Sequence, residues 1–273
     1  MTKTYAVIGD PIDHSLSPAI HNSAFVFLRL DCTYIAYRIP KGQLADGLEA
    51  LKKIKIAGFN VTIPHKLDMM KFLNEYDDDC KIIGATNTVV NDNGFLKGYN
   101  TDMDGFLDPI KKRNINCKGH DVLLVGAGGA ARAIVVAFCK EKVRKITIAN
   151  RTKEKAQELT GLASTLGTEA DHTDLDNAAD IAGKYKFIVN ATSIGLKANS
   201  CPISTRTINK DCIVYDIVYM PVETEFIEQS KKKGASIIYG WEMLIGQAMR
   251  SFEIWTKTKA PYEAMKLTLL GRF

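Results

Sequence analysis

A strand, a tight glycine turn and a helix start follow one another in the middle of the chain, and this run constrains the fold most. The apolar stretch Val122–Val125 leads into Gly126-x-Gly128-x-x-Ala131. In a dinucleotide-binding βαβ unit, the first glycine permits the turn, the second lets the backbone approach a pyrophosphate, and the third small residue allows close helix packing. The helix N-terminus also favours an anion. The alternative is a glycine-rich turn without a ligand. We expect dinucleotide contacts from Gly126, Ala127, Gly128, Gly129 and Ala130.

The end of the next predicted strand, Lys145–Ala149, indicates which dinucleotide is bound. An NAD-binding unit usually carries Asp or Glu there, bound to the ribose. This chain has Asn150-Arg151-Thr152 instead, and Lys155 follows one turn later. A planar guanidinium suits a 2′-phosphate, and a threonine hydroxyl can donate a further hydrogen bond. The pattern therefore predicts NADP as the cofactor, with a solvated basic helix start as the alternative.

Alternating strand and helix patterns on both sides of this turn predict an α/β protein with two domains. Ser17 is the expected N-cap of the first helix, with Pro18 at its first position. Before the turn, strands are predicted at Thr4–Gly9, Thr33–Ile39 and Ile56–Val61, helices at Pro18–Leu30, Gln43–Lys53 and His65–Leu73, and an edge hairpin at Thr86–Asn91 and Phe95–Tyr99. Later, helices are predicted at Met103–Lys112, Ala130–Lys140, Lys153–Thr165, Glu223–Lys232 and Met243–Lys257, and strands at Asp121–Val125, Lys145–Ala149, Phe187–Asn190, Ile213–Asp216 and Ala235–Ile238.

Composition and spacing argue against several classes of protein. The 273 residues carry a net charge of +5, but the basic clusters are short and not interleaved with aromatic residues, so no nucleic-acid partner is expected. No apolar run approaches the roughly 18 residues that span a bilayer, and the N-terminus lacks a signal-peptide pattern. The six cysteines form no C-x-x-C pair and the five histidines are dispersed, so we expect a cytoplasmic protein without a metal site. Cys139 lies in an apolar stretch and is expected in the core.

Two polar turns place a lysine and a carboxylate ahead of the dinucleotide motif. Lys66 ends the segment Asn60–Lys66, and Asp102 ends the segment Gly98–Asp102. Lys66 is predicted at a helix start, where the helix dipole disfavours a cation, so it needs a partner or has a function. Asp102 is the obvious partner. A protonated lysine can donate to the alkoxide that forms when a carbonyl accepts a hydride. A surface lysine and a helix-capping aspartate are the alternatives.

Ser15 and Ser17 are two residues apart, so both hydroxyls point to one side of an extended chain. Such a pair suits a carboxylate ligand. From these residues alone, a turn serine followed by a helix N-cap is the stronger interpretation.

At least six motifs occur in a fixed order over almost the whole chain. They are Gly9–Pro18 followed by His21-Asn22, Asn60–Lys66, Gly84–Thr88, Gly98–Asp102, the glycine turn with Asn150–Thr152, Asn190–Gly195, Asp216–Pro221 and Met243–Ala248. Together they closely resemble the shikimate dehydrogenase family. The resemblance implies NADPH-dependent reduction of 3-dehydroshikimate to shikimate, with NADP as cofactor and a small-molecule substrate. For Ser15 and Ser17 the resemblance makes ligand binding the stronger interpretation, because the matching serines of the family bind the substrate carboxylate.

The resemblance also implies roles for single residues. Lys66 and Asp102 would be the catalytic pair. The implied substrate-binding residues are Ser15, Ser17, Asn60, Thr62, Asn87, Tyr219 and Gln247. Further cofactor contacts are implied for Thr192, Ser193 and Gly240, beside Asn150, Arg151, Thr152 and Lys155. As alternatives, Asn87 is a strand-edge polar residue and Gln247 belongs to a solvated helix face.

The expected organisation is a substrate domain of residues 1–102 and 239–273, a Rossmann domain of residues 103–238, and a site in the cleft between them. The C-terminal helix must then return to the first domain. A monomer or a homodimer is compatible with the sequence. A quinate/shikimate dehydrogenase is the nearest rival, although such relatives tend to use NAD and carry an acid where Arg151 stands. A non-catalytic NADP sensor is a second rival, which the presence of both Lys66 and Asp102 disfavours.

Overall fold

The computed structural model describes residues 2–196 and 200–273. The chain divides into two compact units. The first consists of Met1–Gly105 with Ile245–Arg272, and the second of Phe106–Leu244. Each unit is built around one six-stranded sheet.

The first unit contains most of its elements before residue 105. Its strands are β1 (Lys3–Gly9), β2 (Cys32–Arg38), β3 (Gly58–Val61), β4 (Glu75–Tyr76), β5 (Thr88–Asp92) and β6 (Phe95–Tyr99). Its helices are α1 (Ser17–Phe27), α2 (Leu44–Lys53), α3 (Asp78–Ile83) and α10 (Tyr262–Leu270), with a 3-10 turn at Asp68–Phe72. The sheet order is β2-β1-β3-β5-β6-β4. β1 runs parallel to both neighbours, whereas β5 is antiparallel to β3 and β6.

The second unit has the strand order of a doubly wound fold. Its strands are β7 (Asp121–Val125), β8 (Lys145–Ala149), β9 (Glu169–Thr173), β10 (Phe187–Asn190), β11 (Ile213–Asp216) and β12 (Ser236–Tyr239). Its helices are α5 (Gly129–Lys140), α6 (Lys153–Thr165), α7 (Leu175–Ile181) and α8 (Glu225–Lys232), with a 3-10 turn at Ala182–Lys184. The sheet is parallel throughout, in the order β12-β11-β10-β7-β8-β9.

Two helices contain residues of both units. α4 (Asp102–Lys112) starts in the first unit and α9 (Gly240–Thr256) starts in the second. From Ile245 onward, the residues of α9 belong to the first unit, as expected of a returning C-terminal helix.

Apolar periodicity explains how the helices bind to the sheets. Leu44, Leu48 and Leu51 lie on one face of α2 and are 5% exposed or less, packed in one cluster with Ile8 and Phe59. In the second unit, the buried strands β7, β10 and β11 contribute to a single cluster that α7 and α8 cover.

The structure corrects several expectations in the first unit. The predicted helix His65–Leu73 is only a 3-10 turn from Asp68 to Phe72. Ser17 is the first residue of α1, not its cap, because the cap position falls on Leu16 and makes no side-chain bond. The hairpin turns at Asn93 and Gly94, both with positive φ, but it is not the sheet edge, since β4 pairs with β6.

Five elements were not predicted: α3, α7, α10, β4 and β9. Short helices such as α3 and α7 depend on a cap more than on periodicity, and Asp77 and Asp174 each accept a bond from the backbone N–H three residues later. β9 is an edge strand without a buried face, so it lacks apolar alternation. Cys139 is only partly buried, contrary to the expected core position.

Among residues 2–196 and 200–273, no helix combines the length and the apolar run needed to cross a membrane. In the same ranges, no group of three or more His, Cys, Asp and Glu side chains is arranged to hold a metal ion.

Candidate active site

The first unit brings the two proposed proton-transfer residues together. The Lys66 ammonium donates a hydrogen bond to Asp102 Oδ2, and the two side chains are 14% and 6% exposed. Asp102 begins α4, where a carboxylate is favoured by the helix dipole. Lys66 precedes the 3-10 turn at Asp68, so a helix N-terminus does not explain its need for a partner, contrary to the sequence argument. Its partial burial does, because a charge removed from water must be paired.

Asn87 fixes the carboxylate from the side opposite the lysine. Its amide group donates to Asp102 Oδ1 at 2.8 Å and to Thr101 Oγ1 at 3.0 Å. Its carbonyl oxygen accepts from the Thr101 backbone N–H at 2.8 Å. Asn87 is only 2% exposed. One carboxylate oxygen thus binds the amide and the other binds the ammonium, which leaves Asp102 a single orientation.

Asn60 lies behind Asn87 in the same buried network. Its carbonyl oxygen accepts from the Tyr34 hydroxyl at 2.7 Å. Its amide group faces three acceptors at 2.9–3.0 Å, which are the Asn87 backbone carbonyl, Thr88 Oγ1 and Ser251 Oγ. Asn60 is 6% exposed and both ends of its amide are engaged by protein groups. This geometry makes Asn60 a support for Asn87 and does not favour the expected direct contact with substrate.

Thr62, Ser15 and Ser17 follow the carboxyl ends of two neighbouring parallel strands. β1 and β3 pair directly, and the segments after them carry the serines and the threonine. Such strand ends are the usual ligand edge of an open α/β sheet. Ser15 and Thr62 are partly exposed, Ser17 is 8% exposed, and the Ser17 N–H donates to Ser15 Oγ at 3.3 Å.

Gly9 is a residue of this edge that sequence reasoning did not single out for a role. A Cβ atom there would lie 2.4 Å from Thr62 Cγ2 and 2.8 Å from the Ile63 carbonyl oxygen. The glycine therefore lets the two segments approach closely. Gly9 is the first residue of the motif Gly9–Pro18, and this position is the sequence signal that could have identified it.

The glycine turn of the second unit has the geometry of a phosphate-binding turn. Gly126 has φ +111°, and a Cβ there would lie 2.9 Å from the Ala191 backbone. Gly128 is the N-cap of α5, and a Cβ there would meet no atom within 4 Å. Open space above a helix N-terminus is what a pyrophosphate requires. Ala131 is fully buried, while Ala127, Gly129 and Ala130 are partly exposed.

The residues after β8 present unpaired positive charge to solvent. Arg151 and Lys155 are exposed, and neither has an ion-pair partner among the residues that the structure describes. Thr152 occupies the N-cap position of α6 without making a side-chain cap, so its hydroxyl is available. The Asn150 amide donates to the Thr152 carbonyl at 2.8 Å and shapes this turn. The donor set fits a 2′-phosphate.

The loops after β10 and β11 carry the remaining cofactor candidates. Thr192 donates from both its N–H and its hydroxyl to Asn190 Oδ1, at 3.0 and 2.7 Å, and Ser193 is exposed. Tyr219 lies in the next loop, where burial raises the pKa of its phenol. Gly240 opens α9, and a Cβ there would lie 2.4 Å from the Val218 carbonyl oxygen. Close packing against this loop therefore requires glycine at residue 240.

Gln247 lies on α9 within the first unit and is partly exposed. Its backbone carbonyl accepts from the Ser251 hydroxyl at 2.9 Å. Ser251 in turn contacts Thr88, Thr101 and Asn60, so this part of α9 belongs to the network that supports Asn87. Ser251 was not predicted from the sequence.

These features define the class of NADP-dependent dehydrogenases: a parallel sheet with a glycine turn, an exposed arginine after its second strand, and a largely buried lysine–aspartate pair. Three segments match family profiles: the shikimate dehydrogenase substrate binding domain at residues 7–89, shikimate / quinate 5-dehydrogenase at 110–213, and the shikimate 5′-dehydrogenase C-terminal domain at 240–270. The chain belongs to the shikimate dehydrogenase family.

The chain matches its relatives over almost their full length. The chain is 60% identical over 273 residues, all of both chains, to the NADP(+) shikimate dehydrogenase of Nitrosopumilus maritimus. Its fold matches the Thermus thermophilus shikimate 5-dehydrogenase in complex with NADP(H) and shikimate, with a TM-score of 0.89, 32% identity and coverage of 99% and 100%. It also matches the Corynebacterium glutamicum quinate dehydrogenase in complex with NAD, with a TM-score of 0.91, 30% identity and 99% coverage of both chains.

Proposed function

We propose that this protein catalyses the reversible NADPH-dependent reduction of 3-dehydroshikimate to shikimate, a step of aromatic amino-acid biosynthesis. The buried pair of Lys66 and Asp102 carries this proposal, together with membership of the family. The first unit would be the substrate domain and the second the cofactor domain.

Bound NADPH would supply the hydride. The Lys66 ammonium then donates a proton to the oxygen of the ketone as negative charge develops there, and in the reverse direction the neutral amine accepts the hydroxyl proton. Asp102 holds the ammonium in place, and the Asn87 amide holds Asp102. Because two oxygens of one carboxylate serve two different donors, rotation of Asp102 would break one bond and move the lysine.

The remaining assignments follow from position and from the family. Ser15 and Ser17 would bind the substrate carboxylate beside Thr62, because all three follow the carboxyl ends of β1 and β3. Asn87, Tyr219 and Gln247 would contact the substrate ring and its hydroxyls. Asn60 would instead support the site, because its amide group donates to Ser251 Oγ and to the Asn87 backbone carbonyl.

The cofactor would bind through residues of the second unit. The glycine turn at Gly126–Ala130 would hold the pyrophosphate, and Arg151 with Asn150, Thr152 and Lys155 would hold the 2′-phosphate. Thr192, Ser193 and Gly240 would serve the nicotinamide end. Open space at Gly128 and unpaired charge at Arg151 support these assignments.

An NADPH oxidation assay with 3-dehydroshikimate tests the function. Wild type should turn over, and Lys66→Ala should lose roughly 10²–10⁴ in kcat with little change in substrate affinity, the range typical of acid–base groups. Lys71→Ala is the matched control, since Lys71 is 75% exposed and pairs with Asp68 in the same segment. A Lys66→Ala variant with more than about a third of wild-type kcat would remove the basis of the mechanism.

Assays of the reverse reaction distinguish between the rival substrates and cofactors. Shikimate with NADP+ should give the highest kcat/KM, whereas a quinate dehydrogenase would prefer quinate, and the similar Corynebacterium protein carries NAD. Preference for quinate with NAD would replace the proposal by that rival. A non-catalytic sensor would bind NADPH and turn over neither substrate.

We also propose a cytoplasmic location and a small assembly, a monomer or a homodimer. All six cysteines are free thiols, as expected in a reducing compartment. Light scattering during gel filtration measures the assembly directly: a mass of one or two chains supports the proposal, and a larger one contradicts it.

A further inference from the structure

A buried carboxylate lies where the two loops of the nicotinamide end begin. Asp216 is the last residue of β11 and is fully buried, as is Asn190, the last residue of the neighbouring β10. Their strands pair in register, with Asn190 opposite Asp216. Each residue begins a motif shared with the family, but neither side chain was assigned a role, and no cation pairs with Asp216 among the described residues.

Three donors converge on this carboxylate. Asp216 Oδ1 accepts from the Asn190 amide at 2.9 Å and from the Val218 N–H at 3.0 Å. Asp216 Oδ2 accepts from the Thr224 hydroxyl at 2.6 Å. An ionised carboxylate accepts at both oxygens and donates nothing, so it satisfies three donors that an amide could not all satisfy. The chemistry of the surroundings therefore explains why an acid is placed in a buried position.

Each partner of Asp216 is joined to a different segment. Asn190 accepts from the N–H and hydroxyl of Thr192 and donates to the Ile194 carbonyl at 3.2 Å, which fixes the start of the loop after β10, residues 191–196. Val218 lies in the loop after β11, one residue before Tyr219. Thr224 caps α8 by accepting from the Ile227 N–H at 3.2 Å.

Thr224 also supports the first of these loops by packing. Gly195 has φ +101°, and a Cβ there would lie 3.3 Å from Thr224 Cγ2. The threonine methyl thus limits the loop at residue 195, while its hydroxyl binds Asp216. A single side chain connects the cap of α8 with both loops.

We propose that Asp216, together with Asn190 and Thr224, is a positioning group that sets the loops after β10 and β11 in the arrangement required at the nicotinamide end of the cofactor. The inference rests on the proposed function, in which Thr192 and Ser193 serve that end and Tyr219 contacts the substrate. Asp216 touches neither hydride nor proton in this role. It acts through the backbone of the two loops, so its loss affects the reaction and spares the binding of the adenosine end.

The test uses Thr224→Val, which keeps the shape of the side chain and removes the hydroxyl, in the full chain. Thr224→Ser restores the hydroxyl. Thr205→Val is the matched control, because Thr205 lies farther along the segment between β10 and β11, is 5% exposed, and donates its hydroxyl to Gln229. For each variant we would measure kcat, KM for 3-dehydroshikimate, and the Kd of adenosine 2′,5′-bisphosphate, a probe that lacks the nicotinamide.

Thr224→Val should lower kcat between about tenfold and a hundredfold, as a displaced reacting group does, with the bisphosphate Kd within about twofold of wild type. Thr224→Ser and Thr205→Val should stay within about threefold of wild-type kcat. If Thr224→Val keeps more than about half of wild-type kcat, or weakens bisphosphate binding as much as it lowers kcat, the positioning role is wrong.

Amide hydrogen exchange gives a readout that needs no substrate. The N–H groups of Ile194 and Val218, both bonded within this network, should exchange faster in Thr224→Val, while α5 keeps its protection. Unchanged exchange at both amides overturns the inference even if wild type is inactive with 3-dehydroshikimate. That inactivity, by contrast, overturns only the proposed function. A variant that loses protection throughout the second unit would show general destabilisation and also contradict the specific role.

Discussion

The stability of this protein in mild acid should depend on one buried histidine. His21 lies in α1, is fully buried, and stacks on Tyr34 with ring centroids 4.4 Å apart. Neither of its ring nitrogens has a hydrogen-bond partner among the residues the structure describes. Burial lowers the pKa of His21 to about 3, from an ordinary value of 6.5. The folded protein therefore holds this imidazole neutral.

The sign of the effect follows from proton linkage. Below pH 6.5 an unfolded histidine binds a proton that the folded protein excludes until about pH 3, so acid favours the unfolded state. The contribution of His21 is fully present above its unfolded pKa and is lost as the pH falls. At about pH 5 the histidine is about 1.5 pH units below its unfolded pKa, and at about 1.4 kcal/mol per unit the loss is about 2 kcal/mol.

Urea unfolding at about pH 7.5 and about pH 5 measures this loss, using His21→Phe as the comparison. Phenylalanine keeps the stacked ring and has no group to protonate. Trp255 is 8% exposed and its ring lies 5.3 Å from His21, so its fluorescence reports on the same cluster. His14→Gln is the control, because His14 is exposed.

Wild type and His14→Gln should lose about 2 kcal/mol more than His21→Phe between the two pH values. Groups that titrate elsewhere cancel in this difference. An equal loss in wild type and His21→Phe would refute the reasoning, since it would mean that His21 is protonated in the fold or does not remain buried. Because the Tyr34 hydroxyl donates to Asn60, such an opening would also reach the support of the active site.

Two further outcomes are expected. Arg151→Ala should weaken NADP binding roughly tenfold or more and NAD binding far less, since a charge-assisted hydrogen bond contributes about 1.5–3 kcal/mol; titration with both cofactors checks this, with Arg144→Ala as the exposed control, and equal losses would assign Arg151 a structural role. Burial raises the pKa of Asp216 from 3.8 to about 6, so its ionisation costs stability as the pH rises through this window; Asp216→Asn should remove roughly 3 kcal/mol of that decline in urea unfolding, and an unchanged decline would show that Asp216 is not the group responsible.

Periodicity and punctuation in the sequence predicted most of the second unit. β8, α6, β10 and β11 have the predicted bounds, since each is either a short apolar run or a helix between clear turn signals. β9 and α7 were missed because an edge strand and a short capped helix have little apolar pattern. In the first unit, the segment after Pro64 forms only a 3-10 turn where a helix was predicted. Tertiary contacts determine this conformation.

The candidate site was predictable where a motif carries its own chemistry, and less so where partners are distant. The glycine turn and the pairing of Lys66 with Asp102 follow from local chemistry and the demand of a charge for a partner. The engagement of Asn60 by Ser251 could not be predicted, because the two are 191 residues apart in the chain. No local sequence pattern predicts a contact between residues that only the fold brings together.

The exposed turn at Arg151 has a consequence for how this enzyme can change over generations. Arg151 is exposed, and Thr152 makes no side-chain cap bond to the helix that it precedes. Given the proposed role of Arg151, substitutions in this turn alter cofactor preference at almost no cost in stability. A lineage could then change between NADP and NAD in a few steps that leave folding unaffected, whereas Gly126 allows no such freedom.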